Sequence, residues 1–223
     1  MLEKIAVLIP AYNASGTINE LLLRLKTVVP PKNIFVIDDG SGDGTGSIAQ
    51  NQGVHVVRLE SNSGKGAALS RGFELLKGDT SFDYVATLDA DLQHPPEKLP
   101  EFDAQMQNAN ADIVIGHRSR LGSSMPLHRR ASNTLTSFLV SARTGQRILD
   151  SQCGFRLIKR RVLSEVVVRS AGFEAETEFL MKAARRGFRI SFVPIETIYN
   201  GQKSHMTNWK TTINFIRVLL REN

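Results

Sequence analysis

Short apolar runs alternate with helix-like stretches through the first half of the chain, and this alternation restricts the fold more than any other feature. Lys4–Pro10 reads as a buried strand, and Ile34–Ile37, Val54–Leu59, Tyr84–Leu88 and Ile113–Ile115 read as further strands. Between the first two, Thr17-Ile-Asn-Glu20 has the pattern of a capping box, with Thr17 as N-cap and Glu20 three positions on. Ile18, Leu21, Leu22, Leu25 and Val28 then recur at helical spacing until Pro30-Pro31. Further helices are expected over Thr45–Asn51, from Gly64 to about Lys77, and over Glu97–Asn108. Strands alternating with helices imply an α/β fold with a mostly parallel sheet, whose ligands bind beyond the carboxyl ends of the strands.

The segments at those ends carry the polar signals. Pro10-Ala-Tyr12 follows the first strand, Asp38-Asp39 the second, Ser61–Gly66 the third, Asp89–Gln93 the fourth and His117-Arg118 the fifth. The fourth is the most specific. An apolar run ends in Asp89-Ala-Asp91, Gln93 follows, and Pro95-Pro96 stops the strand. Asp89, Asp91 and Gln93 all offer oxygen, which hard divalent cations prefer. Such ions bind through one or two carboxylates plus a substrate's phosphates.

Charge is unevenly placed. The net charge is +6, yet the stretch from Ile113 to Leu149 contains no Asp or Glu and six arginines, at 118, 120, 129, 130, 143 and 147. Arginine suits bidentate contact with phosphate, so this stretch reads as an anion-binding or membrane-surface face. No nucleic-acid motif accompanies it, and no nucleic-acid partner is expected. One cysteine, Cys153, excludes an intrachain disulfide framework. The N-terminal apolar stretch is too short for a signal peptide, and no run is long enough to span a bilayer. The expectation is a cytoplasmic protein, peripheral at the inner face of a membrane.

Several motif matches fail on inspection. Asp39, Ser41, Asp43 and Gly44 begin like a calcium loop, but position twelve is Gln50. Gly44-Thr-Gly-Ser-Ile-Ala49 lacks the downstream acid of a dinucleotide fingerprint. The remaining reading of this loop is a base site in which Asp39 accepts from base N–H groups. Ser63-Gly-Lys-Gly66 lacks the first glycine and the hydroxyl of a phosphate loop, although a glycine-rich helix start with Lys65 can still bind phosphate or sugar hydroxyls. Glu174, Glu176 and Glu178 crowd one helix start, more acid than the helix dipole calls for.

In the second half, helices are expected around Leu127–Ala142 and Glu174–Arg186. Strands are expected up to Lys159 and over Arg189–Val193. The tail Trp209–Leu220 is amphipathic. It can pack on the core, lie on a membrane or precede an integral-membrane element.

Taken in order, these residues resemble the family 2 glycosyltransferases, in the branch of dolichyl-phosphate mannosyltransferase-like and other polyprenyl-phosphate sugar transferases. The matching segments are Ile9-Pro-Ala-Tyr-Asn13, Val36-Ile-Asp-Asp-Gly-Ser41, Asn62-Ser-Gly-Lys-Gly-Ala67, Leu88-Asp-Ala-Asp-Leu-Gln-His-Pro95, Gly116-His-Arg118, Asp150-Ser-Gln-Cys-Gly-Phe-Arg156, Gly172-Phe-Glu-Ala-Glu-Thr-Glu178 and Ser204-His205. The resemblance implies a GT-A fold over residues 1–206, with a nucleotide-sugar half to 117, an acceptor half over 118–206 and a C-terminal amphipathic helix over 207–223. It also implies a nucleotide-sugar donor and Mg²⁺ or Mn²⁺. The donor set would be Pro10, Tyr12, Asp39, Lys65, Asp89 and Ala90. The metal set would be Asp91 and Gln93 with Asp89, and the acceptor-phosphate set Arg118, Arg129 and Arg130. Many relatives carry Glu after the Tyr-Asn pair, where this chain has Ala14.

Two acceptor classes differ in chemistry. A lipid phosphate is already ionised and needs positioning by arginine, which gives direct inverting displacement. A saccharide hydroxyl needs a carboxylate base, for which Asp150 and Glu178 are the candidates. The acid-free arginine stretch favours the phosphate. More distant readings are a nucleotidyltransferase, for which the N-terminal glycine-rich loop is missing, and a non-catalytic sugar-nucleotide-binding module. Oligomeric state is left open.

Overall fold

The structure is a computed structural model that describes residues 2–118 and 127–196, with the side chains of 127–132 left out. Its strands are β1 (Ile5–Ala11), β2 (Ile34–Asp38), β3 (His55–Arg58), β4 (Tyr84–Thr87), β5 (Ile113–Arg118), β6 (Arg156–Lys159) and β7 (Ile190–Ile195). The helices are α1 (Ile18–Leu25), α2 (Thr45–Asn51), α3 (Lys65–Leu76), α4 (Leu99–Asn108), α5 (Leu127–Thr144), α6 (Arg160–Glu165) and α7 (Ala175–Arg185). The strands form one sheet in the order β3-β2-β1-β4-β6-β5-β7.

All pairings are parallel except those of β6, which runs antiparallel to both β4 and β5. The strands that read as continuous apolar runs are buried on both faces: every residue of β1 and β2 is buried. Helices cover the sheet closely. At Gly72 of α3 a Cβ would overlap the side chain of Leu8, so only glycine lets this helix settle on β1. Phe102 of α4 stacks on Phe155 at 4.1 Å between ring centroids, which fixes that helix beside the entry to β6. Strand order reverses at β1, with β2 on one side and β4 on the other, so the crevice expected of such sheets opens beyond their carboxyl ends.

Several local expectations need correction. The capping box at Thr17 does not form: its hydroxyl donates to the carbonyl of Ala14 (3.3 Å), and no side chain caps α1. That helix ends at Leu25, and Val28 closes the following turn by donating to the Leu25 carbonyl. A 3-10 turn over Pro96–Lys98 delays α4 to Leu99. The short, polar α6 has no counterpart in the sequence reading. Pro194 lies inside β7, which tolerates it because β7 is an edge strand and needs no second ladder. The expected amphipathic tail over 207–223 and the Ser204-His205 motif lie outside the described residues.

Candidate active site

The loops after β1 and β2 are stitched together into one wall. Asn13 donates its N–H to Ser41 Oγ (3.0 Å) and accepts at Oδ1 from Gly42 N–H (3.0 Å). Ala14 N–H donates to Thr45 Oγ1 (2.8 Å), and Ser15 N–H to Asp43 Oδ2 (2.9 Å). Burial opposes ionisation of Asp43, but bonds from Thr45 and Ser15 hold its carboxyl well below the usual range. Pro10 is buried in β1, while the Tyr12 ring stands half-exposed beyond it. Asp39 is buried, and each of its oxygens accepts a backbone N–H at 2.8 Å, from Ser63 and from Gly64. Its first role is therefore to tie the loop after β3, and the start of α3, to the end of β2.

That start places Lys65 at the middle of the site. Its Nζ lies 2.6 Å from Asp89 Oδ1 and 2.8 Å from Glu176 Oε2. Burial opposes the charge on Lys65, but the two carboxylates outweigh it and raise the ammonium pKa well above its ordinary value. The other face of Asp89 rests against Gly154, where an added Cβ would fall 2.5 Å from Oδ2. No other residue type fits there without moving the carboxylate. Burial pushes Asp89 up, and Lys65 with His94 and Arg118 overrides it, so the carboxyl ends below its usual range.

Asp91 is in the opposite state. Burial and the adjacent charge of Asp89 push its carboxyl up to about 6. Oδ1 accepts from the Gln93 N–H (3.0 Å), closing a tight turn through Leu92, a buried non-glycine residue at φ 60°. Ala90 is buried between the two carboxylates. Behind the turn, burial lowers the imidazole of His94 to about 4, and its Nε2 lies 3.6 Å from Cys153 Sγ. Cys153 is a buried packing residue whose thiol is pushed up to about 12 by burial.

Two partly exposed oxygen-bearing side chains, Asp91 and Gln93, stand beside an anchored Asp89. This donor set fits a hard divalent cation. Asp91 holds a proton more readily than a free carboxyl does, and a cation would take that proton's place. Among the described residues, no group of three or more His, Cys, Asp and Glu side chains encloses a metal.

Arg118, at the end of β5, grips Asp150 with two parallel bonds, Nε to Oδ2 at 2.7 Å and Nη2 to Oδ1 at 2.9 Å. Asp150 also accepts from Gln152 N–H (3.1 Å) and from the side chain of Asn133 on α5. Burial raises the Asp150 carboxyl, but the Arg118 bonds outweigh burial and leave it below its ordinary value. Glu178 is drawn elsewhere: it accepts from Lys182 (2.5 Å) and from the N–H groups of Arg169 (2.9 Å) and Ser170 (2.8 Å). Its carboxyl is likewise lowered, these bonds outweighing burial. Arg129 and Arg130 occupy the first turn of α5, but their side chains lie outside those described.

Three participants stood in the matching segments of the sequence, but without their partners. Glu176 completes the Lys65 clamp, Gly154 seats Asp89, and Arg156 binds the carbonyls of Ser151, Cys153 and Glu176, locking the Asp150–Arg156 loop to α7. The signals for Glu176 were the excess of acid at that helix start and its place in the matching segment Gly172–Glu178.

Residues 6–167 match the family described as Glycosyl transferase family 2. The chain is 32% identical over 211 residues to polyprenol monophosphomannose synthase of Mycolicibacterium smegmatis, covering 86% of this chain and 77% of that protein. It is 31% identical over 205 residues to undecaprenyl-phosphate mannosyltransferase of Micrococcus luteus, covering 86% and 82%. A crystal structure of glucosyl-3-phosphoglycerate synthase from Mycobacterium tuberculosis, in complex with Mn²⁺, UDP and glucosyl-3-phosphoglycerate, superposes with a TM-score of 0.77. The identity there is 20%, over 99% of this chain and 80% of that one, which is a likeness of fold. With these strand-end loops and carboxylates in place, the chain belongs to Glycosyl transferase family 2 and is a glycosyltransferase.

Proposed function

We propose that this glycosyltransferase moves a sugar from a GDP- or UDP-linked donor to a polyprenyl or dolichyl phosphate, with inversion at the anomeric carbon. The observation that carries the reading is the state of its two candidate bases. Asp150 is bound bidentately by Arg118, Glu178 is bound by Lys182 and two backbone N–H groups, and both carboxyls are held below their ordinary values. Neither is poised to take a proton from a sugar hydroxyl. A phosphate acceptor brings an oxygen that is already ionised and requires no base. The named lipid-phosphate transferases among its relatives support the same choice.

In this reading Pro10, Tyr12 and Asp39 line the nucleotide, and Ala90 and Asp89 line the donor phosphate and sugar. Lys65 acts through Asp89, holding it in place. Asp91 and Gln93, with Asp89 alongside, would hold Mg²⁺ or Mn²⁺, which supplies neutralisation of the charge growing on the leaving diphosphate. Arg118, oriented by Asp150, meets the acceptor phosphate with help from Arg129 and Arg130. A phosphate oxygen then attacks the anomeric carbon as the bond to the diphosphate breaks, and no proton changes hands. The enzyme works at a membrane surface. No described helix is long and apolar enough to cross one.

Incubation with a panel of labelled nucleotide sugars and polyprenyl phosphate, followed by organic extraction, tests the reading. Label should enter the lipid phase only with Mg²⁺ or Mn²⁺, and Asp91→Ala should abolish it. Arg118→Ala should lower kcat/KM for acceptor about 100-fold while leaving donor binding nearly intact. Transfer to free saccharides alone, or full activity in EDTA, would refute it.

A further inference from the structure

Four charged side chains meet behind the metal turn. Lys65 Nζ lies between Asp89 and Glu176, and Glu176 turns its second oxygen, Oε1, toward Arg156 Nη2 at 3.9 Å. Glu176 and Arg156 are both buried. Arg156 otherwise donates to the carbonyls of Ser151, Cys153 and Glu176, so among the described residues Glu176 is the one carboxylate paired with its guanidinium. The group thus joins two cations to two anions. The main chain forces this meeting. At Gly66, in the first turn of α3, an added Cβ would fall 2.5 Å from Ala175 Cβ and 2.7 Å from the Ala171 carbonyl carbon, and Ala67 N–H donates to the Ala171 carbonyl (3.1 Å). The starts of α3 and α7 therefore touch, which brings Lys65 and Glu176 together beside Asp89. A lysine in a first turn faces the positive end of the helix dipole, so α3 itself gains nothing from that charge.

We infer that Glu176 is a positioning residue: by sharing the Lys65 ammonium with Asp89, it keeps the charge of the Asp89 carboxylate available to a divalent cation at the Asp91–Gln93 turn. An ammonium and a metal ion compete for the same carboxylate. With the Glu176 carboxylate in place the four charges cancel, and the shared ammonium offsets Asp89 only in part. With a neutral side chain at that position, the group would carry one positive charge in excess, centred 2.6 Å from the Asp89 oxygen, and a further cation would be repelled. An anionic diphosphate without its metal is not repelled by that excess. Glu176 therefore acts on the metal-dependent part of donor binding, through Lys65 and Asp89, and touches no reacting atom itself. The inference rests on the metal–diphosphate reading of the donor site and is measurable without turnover.

The test is calorimetric titration of the full chain with UDP and with GDP, each in Mn²⁺ and in EDTA. Wild-type protein should bind one of the two more tightly in Mn²⁺. Glu176→Gln keeps the shape of the side chain and removes its charge. Its affinity in Mn²⁺ should fall about tenfold, while its affinity in EDTA should not fall. The double variant Lys65→Gln/Glu176→Gln removes one charge of each sign and restores the balance. It should return to within about threefold of wild type in Mn²⁺, and it carries the test if the single variant folds poorly. Three results would overturn the role of Glu176: equal Mn²⁺-dependent affinity in Glu176→Gln and wild type, equal weakening with and without Mn²⁺, or a double variant still about tenfold below wild type. Wild-type binding that ignores Mn²⁺ would instead sink the metal reading, and the role of Glu176 with it.

Discussion

Lys65 shows how much of a residue's setting a sequence leaves out. A lysine at a glycine-rich helix start reads as a phosphate contact. In the structure its ammonium is enclosed by Asp89 and Glu176, the second of them 111 positions downstream. Spacing carries no information about such a partner. Lys65→Met would leave two carboxylates facing each other without a cation, so the chain should lose about 3 kcal/mol or more of stability. Urea unfolding checks this, and a loss below about 1 kcal/mol would mean that the clamp is only an incidental contact. Asp91 was more legible, because an apolar strand broken by two carboxylates and two prolines has few structural explanations. Asp39 was legible as an acid at a strand end, but not that its oxygens accept the Ser63 and Gly64 N–H groups.

At the scale of elements, β1 and β2 could be read because parallel strands covered on both faces are apolar throughout, whereas the edge strand β3 is exposed at His55 and Arg58 and offered only its two valines. The later elements are set by distant partners and could be read less well. Asp112 is an example. From the entry to β5 it accepts from Lys159 at the end of β6 (3.2 Å), Arg161 on α6 (2.7 Å) and the Arg189 N–H before β7 (3.0 Å). Burial raises its carboxyl, but these donors, Arg161 first, outweigh burial and hold it below the ordinary value. The folded state thus binds this proton less readily than the unfolded chain. Its contribution is complete above the unfolded value, about 4, and is lost as pH falls through the folded one. Asp112→Asn should therefore cost about 1–3 kcal/mol at neutral pH and lose less further stability than wild type on acidification. Thermal melts from pH 7 down to pH 3 provide the measurement, and parallel curves for the two proteins would refute the assignment. The failure of the Thr17 capping box has a similarly local cause, since the hydroxyl found a nearer acceptor in the Ala14 carbonyl.

For the whole molecule, convergence of loops was the legible property: five strand ends were expected at one crevice, and the sheet order supplies it. Its ligand linkage is measurable without turnover. A matching nucleotide sugar at about 100 times its Kd should stabilise the protein by about 2.7 kcal/mol. That gain should appear only with Mg²⁺ or Mn²⁺ and disappear in Asp91→Ala; a metal-independent shift of equal size would place the donor elsewhere. The direction of β6 was not legible, because four residues carry no mark of which neighbours they will join. Yet β6 is what closes the sheet, sitting between β4 and β5 with hydrogen bonds to both. During synthesis, β1 to β4 are complete some 70 residues before Arg156–Lys159 emerge, which at about 5–20 residues per second leaves one flank of β4 open for several seconds. Nascent chain halted before Arg156 should present that edge to any other strand it meets, so the ribosome-bound half is the stage at which this enzyme most needs a chaperone.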